Sequence, residues 1–201
     1  FIIMGGNYIV SFLYVVLILG NFEVFSAFKR KISIIFLDSI FVLSLLSILY
    51  LRNDTASSVV LLIWIIILTV CSDIGGYIFG KFFKGKKLTK ISPNKTVSGA
   101  IGSIIFSLGS VFLMGLIVEL MTTLDSNYFY KLRYFILAIF FSITAQLGDL
   151  TISYFKRLDK IKDTGKFLPG HGGILDRIDS YLFTPAIVFY IVILLSPLVI
   201  S

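Results

Sequence analysis

Apolar residues dominate this chain in long runs with neither the alternation of a surface strand nor the one-sided stripe of a soluble helix. The runs fall at about 2–20, 32–51, 57–79, 99–121, 132–152 and 181–200. Each is close to the ~20 residues that an α-helix needs to cross a hydrocarbon core. The pattern predicts an all-α fold, a polytopic integral membrane helical bundle of about six spans. The second run carries Asp38 and is the least clean. The third and fifth run on into polar sequence and are expected to finish at an interface.

Composition sharpens this reading. Hydrophobic residues make up 57% of the chain, and mean hydropathy is +0.98, which disfavours a soluble globular domain. The single cysteine, Cys71, excludes an internal disulfide and a cysteine-cluster metal site. It reads as a small buried apolar residue. Asp38 and Glu119 are expected to face the bundle or an interface, and Trp64 to serve as lipid contact, core or interface anchor. No internal repeat, low-complexity tract or signal peptide is visible. The chain opens at Phe1 inside an apolar stretch, as expected if a preceding segment is missing.

The net charge of +7 has an address. Lys29, Arg30 and Lys31 lie in the first loop, six cations lie between Lys81 and Lys95, and six between Lys156 and Arg177. Only Arg52, Lys131 and Arg133 of the 18 fall elsewhere. Alternate loops share a side, so the odd loops are expected to be cytoplasmic by the positive-inside rule. Anionic lipid attracts basic segments to that face.

Topology needs charge, but it does not need Gly, Pro, His and Asp at defined spacing. The segment Ser153 to Asp179 holds six cations, four aspartates, the only histidine and four glycines. Asp149 precedes it at the expected cytoplasmic end of the fifth span, and Asp176 and Asp179 sit three apart. On a helix beginning near Leu175 these two share one face, near a dipole that favours negative charge. Three carboxylates at one interface suit a hard cation, Mg²⁺ rather than zinc. Glycines in Pro169-Gly170-His171-Gly172-Gly173 permit positive φ, and successive amides can form a nest for phosphate oxygens. Lys156, Arg157, Lys162 and Arg177 can neutralise phosphate charge, and His171 can donate a hydrogen bond or carry a proton. The bland alternatives are that Asp176 and Asp179 cap the last helix and that Asp163 is a turn residue.

In the third loop, Lys95 and Thr96 stand at a helix start, where anions bind. Walker A spacing is absent. Asp73 serves either the metal or a lysine, and Gly75, Gly76 and Gly80 are suited to close helix packing.

At these residues the chain resembles the phosphatidate cytidylyltransferase (CDP-diacylglycerol synthase) family. Ser153-x-Phe-Lys156-Arg157, Lys162-Asp163-x-Gly165 and Pro169-x-His171-Gly172-Gly173-x-x-Asp176-Arg177-x-Asp179 follow the family signature without a gap. The likeness extends to Asp73-x-x-x-Tyr77-x-x-Gly80 and Ser92-Pro93-x-Lys95-Thr96. Ser98 and Ile152 stand where family members often carry Glu. Motif content divides the chain into N-terminal helices, 1–69, and a catalytic part, 70–201, with loops 80–98 and 153–180.

The resemblance implies that CTP and phosphatidic acid give CDP-diacylglycerol and pyrophosphate. Asp149, Asp176 and Asp179 would hold Mg²⁺, with a second cation such as K⁺ compatible. Lys156, Arg157, Lys162, Asp163, His171 and Arg177 would serve catalysis. Ser153, Gly172, Gly173, Lys95 and Thr96 would bind nucleotide or headgroup. The setting implied is a bacterial inner membrane with the site facing the cytoplasm, among membrane lipids and without nucleic acid. A homodimer is compatible with the family, though no motif demonstrates one. The rivals are a CTP-dependent transferase acting on an isoprenoid ether phosphate or polyprenol, and a transporter.

Overall fold

The computed structural model describes residues 6–51, 56–121, 130–165 and 172–199, and side chains up to 188. The helices are α1 (Gly6–Ala27), α2 (Lys31–Leu51), α3 (Ala56–Phe83), α4 (Val97–Met121), α5 (Leu132–Leu158) and α6 (Leu175–Val199). No strand occurs among the described residues; an isolated antiparallel bridge joins Lys87 to Thr96. Helices α1 to α5 are each long and apolar enough to cross a membrane. Large apolar side chains stay on the outside, such as Ile18, Phe22 and Leu120. That is the pattern expected where the surrounding solvent is lipid.

Every expected span is matched by a helix, but several helices run further. Helix α1 was expected to stop near residue 20 and continues to Ala27. The extension carries Glu23, whose carboxylate is satisfied inside the protein, so the acid does not force an end. Helix α6 begins at Leu175, six residues before the apolar run.

The chain packs as two units. The first comprises Phe1–Val59 and Leu147–Ser201. There α1, α2 and α6 pack together around Leu13, Val24, Phe28, Leu37, Phe41 and Leu45, joined by Ile152, Phe155, Leu175 and Leu182. Phe36 and Phe155 stack with ring centroids 4.8 Å apart. The end of α5 is a Schellman turn: Ile161 N donates to Lys156 O (2.9 Å) and Lys160 N to Arg157 O (3.1 Å). Lys160 takes the left-handed conformation there, φ 58°.

The second unit, Val60–Gln146, contains most of α3, α4 and the first part of α5. Its core includes Trp64, Leu68, Met114 and Phe141, with Trp64 edge-on to Tyr134 at 5.4 Å. Small residues bring α3 and α4 together. A Cβ on Gly76 would lie 2.6 Å from Ser103 Oγ, and one on Gly102 would lie 2.6 Å from Gly75 O. The close packing expected of Gly75 and Gly76 is therefore present. Where dispersion replaces the hydrophobic effect between helices, backbone approach of this kind supplies the contact. Ser72 and Ser142 share a hydrogen bond of 2.9 Å. Cys71 is half-buried rather than buried.

Candidate active site

In the first unit the described parts of the charged segment, 153–165 and 172–179, lie at the end of α5 and the start of α6. Asp149, Ser153 and Lys156 are spaced four and three along α5, which sets them on one face. Ser153 Oγ lies 3.5 Å from Asp149 Oδ1. Lys156 reaches across to α6, its Nζ 2.8 Å from Asp176 Oδ1, and both side chains are about nine-tenths buried. The other oxygen of Asp176 accepts from Thr164 N (2.8 Å) and Gly173 N (3.0 Å). Burial pushes the Asp176 carboxyl up. The Lys156 ammonium and the two amides outweigh it and leave the group below its usual range.

The two glycines are explained by these carboxylates. Gly172 has φ +86°, and a Cβ on it would come within 2.9 Å of Asp176 Oδ2. A Cβ on Gly173 would lie 2.5 Å from Glu23 Oε2. Glu23 enters from α1, where it is 4% exposed. Its Oε1 accepts from Ile174 N (2.7 Å), and its Oε2 from Leu175 N (2.9 Å) and Thr164 Oγ1 (3.3 Å). The amides of residues 173 to 175 thus face protein carboxylates. They are not an open phosphate nest of the kind expected from the glycines.

Of the remaining candidates, Arg157, Lys162, Asp163 and Arg177 are exposed. Arg157 donates to Ile161 O at 3.2 Å. Asp179 is half-buried, and its Oδ1 accepts from Ser180 N at 2.8 Å. His171, with Pro169 and Gly170, lies outside the described residues.

Lys95 and Thr96 belong to the second unit. Thr96 is the N-cap of α4, its Oγ1 accepting from Gly99 N at 3.1 Å. Leu88 N donates to Lys95 O (2.8 Å) and Val97 N to Lys86 O (3.0 Å), so the third loop doubles back on this helix start. Ser98 Oγ bonds Lys84 O. Asp73 is exposed.

Among the described residues, no three His, Cys, Asp or Glu side chains gather closely enough to hold a metal ion. The expected three-aspartate cluster is thus not assembled in this arrangement, because Asp176 is turned to Lys156 and to the loop amides. The donor chemistry still suits Mg²⁺. Asp149 and Asp179 offer hard oxygens, and this ion commonly takes one or two carboxylates together with substrate phosphates.

Sequence reasoning passed over Glu23, Thr164 and Asp159. Asp159 Oδ1 accepts from Lys29 N (3.2 Å) and Arg30 N (2.9 Å), and its Oδ2 from Ser33 Oγ (2.5 Å), which caps α2 from the end of α5. The available signal for Glu23 was a lone acid among apolar residues, Phe22, Val24 and Phe25, just past the expected end of the first span, which is costly near hydrocarbon unless paired.

The fold and this cluster define an integral membrane α-helical protein with a charged, glycine-containing segment at the end of α5 and the start of α6. The chain belongs to the Cytidylyltransferase family, whose family model matches residues 2–195. Relatives described as phosphatidate cytidylyltransferases include one from Rickettsia bellii, 44% identical over 139 residues. That match covers 64% of this chain and 57% of the relative. A Bacillus subtilis relative is 42% identical over 126 residues, covering 62% of this chain and 44% of its own length. The Synechocystis relative is 40% identical over 126 residues, covering 63% and 41%. The matched stretch spans about half the length of these relatives.

Proposed function

We propose that this chain carries the site of a phosphatidate cytidylyltransferase, forming CDP-diacylglycerol and pyrophosphate from CTP and phosphatidic acid. The observation that carries the reading is the buried Lys156–Asp176 pair, which ties the end of α5 to the start of α6 and so brings together two separate stretches of the signature. Exposed cations, Arg157, Lys162 and Arg177, stand along the same segment.

In the proposed reaction a phosphate oxygen of the lipid attacks the α-phosphorus of CTP. The new P–O bond forms as the α–β bridge breaks, and pyrophosphate leaves. No covalent nucleophile is needed from the protein, so positioning and charge neutralisation carry the catalysis. Arg157, Lys162 and Arg177 would bind phosphate oxygens, Arg in fork geometry. Lys95 would offer its ammonium to a phosphate of nucleotide or headgroup. His171 would donate a hydrogen bond or carry a proton. Asp149 and Asp179 would hold Mg²⁺, and Asp176 would join them only by exchanging the Lys156 ammonium for the ion. When bound, the ion would neutralise charge on the phosphates. The lipid would enter sideways, because taking acyl chains out of the bilayer costs about 0.8 kcal/mol per CH₂. The loop charges support a site on the cytoplasmic side, and the bacterial relatives support a bacterial inner membrane as its setting.

The test is conversion of phosphatidic acid to CDP-diacylglycerol by the intact protein in detergent, with CTP and Mg²⁺. Product is expected, and EDTA should abolish it. Consumption of CTP with a polyprenol or isoprenoid ether phosphate, but not with phosphatidic acid, would move the reading to another lipid substrate. Flux through liposomes without CTP consumption would refute a transferase.

A further inference from the structure

The signature accounts for Asp176, Lys156 and the glycines, yet the structure ties them to a residue outside it. Glu23 lies on α1, in a region without any motif of the proposed reaction. Its two oxygens take adjacent amides at the start of α6, Ile174 N and Leu175 N. Ile174 is the N-cap position of that helix and has no side chain able to cap it. A single Ser or Asp there would satisfy an ordinary helix end. Instead the acceptor arrives from 151 residues away in the chain.

Three further observations link Glu23 to the signature. Thr164 is shared, its hydroxyl on Glu23 and its amide on Asp176. Three successive amides, 173 to 175, are divided between the two carboxylates, Gly173 to Asp176 and the next two to Glu23. Two glycines open the space: a Cβ on Gly165 would lie 2.9 Å from Glu23 Oε1, and one on Gly173 2.5 Å from Oε2. A shift of Glu23 therefore moves the backbone that presents Asp176.

We infer that Glu23 is a positioning residue for the proposed cytidylyl transfer: from α1 it fixes the register of the loop and helix start that carry Asp176, Arg177 and Asp179. The role in turnover rests on the transferase reading, whereas the pinning of the loop rests on geometry alone.

The experiment compares Glu23→Gln with wild type in two measurements. Gln keeps the shape, but its NH₂ replaces one acceptor and sets a donor against a donor. Hydrogen exchange of the Ile174 and Leu175 amides is expected to speed up about tenfold. In the transfer assay kcat is expected to fall about tenfold or more, with KM for CTP changed less than about threefold. Gly165→Ala, which displaces the carboxylate while leaving it present, should reproduce the kcat loss. In a Glu23→Ala background the same glycine change should add little, giving a non-additive cycle.

Unchanged exchange at residues 174 and 175 would overturn the pinning. Faster exchange with wild-type kcat would overturn the positioning role. If Glu23→Gln fails to fold, Gly165→Ala carries the same two measurements, and normal values in both would overturn the inference. An inactive wild type refutes the transferase reading and with it the role in turnover. That failure is told apart because the exchange measurement needs no turnover.

Discussion

At the scale of single residues, the Lys156–Asp176 pair decides most about the site. Each partner is about nine-tenths buried, so removing one leaves the other charge without compensation in a poor solvent for it. Lys156→Met is expected to destabilise the protein by about 3 kcal/mol, the lower end for a broken buried pair. Activity should fall as well, because Asp176 would no longer hold Thr164 and Gly173 in register. Thermal unfolding in detergent, with the transfer assay alongside, measures both. An unchanged midpoint would show that water reaches the pair and screens it. Gly172 and Gly173 belong to the same account: a side chain on Gly172 would meet an Asp176 carboxylate oxygen, and one on Gly173 would meet the Thr164 hydroxyl and a Glu23 carboxylate oxygen.

At the scale of elements, two helices of the first unit are capped in trans. Glu23 of α1 caps α6, and Asp159 at the end of α5 caps α2. Burial raises the Asp159 carboxyl, but the Ser33 hydroxyl and the Arg30 and Lys29 amides outweigh it and leave the group below its usual range. A carboxyl depressed in the folded state stabilises that state above its unfolded pKa. The contribution is lost as pH falls through the lower, folded value. Asp159→Ala is therefore expected to lower stability by about 1 kcal/mol at neutral pH, the usual worth of a cap. The difference from wild type should shrink below about pH 4. Thermal midpoints of the two proteins across pH 3 to 7 check this. A constant difference would show that shape, not charge, holds the cap.

At the scale of the whole molecule, the arrangement of charge along the chain makes a topological prediction. In a Cys71→Ser background, Lys90→Cys is expected to react with an impermeant maleimide in inside-out vesicles and slowly in right-side-out ones. Thr55→Cys, between α2 and α3, should do the reverse. Matching reactivity of the two sites from one side would break the span count on which the cytoplasmic placement rests.

The sequence by itself determined the helical membrane class, because a hydrocarbon solvent tolerates few structures and each spanning helix needs a long apolar run. It also marked the segment from Ser153 to Asp179, since that mixture of charge, glycine and histidine has no use in a span. Helix limits were less visible. Helix α1 runs past residue 20 because Glu23 finds its partners on α6, and no local pattern shows a partner that far along the chain. The same distance hid Asp159, whose work is to cap a helix that begins near residue 31. Only the tertiary structure decided that the amides after Gly172 are held by Asp176 and Glu23. Local sequence gives the glycines their freedom, but which acceptor fills the space depends on what another helix brings to it.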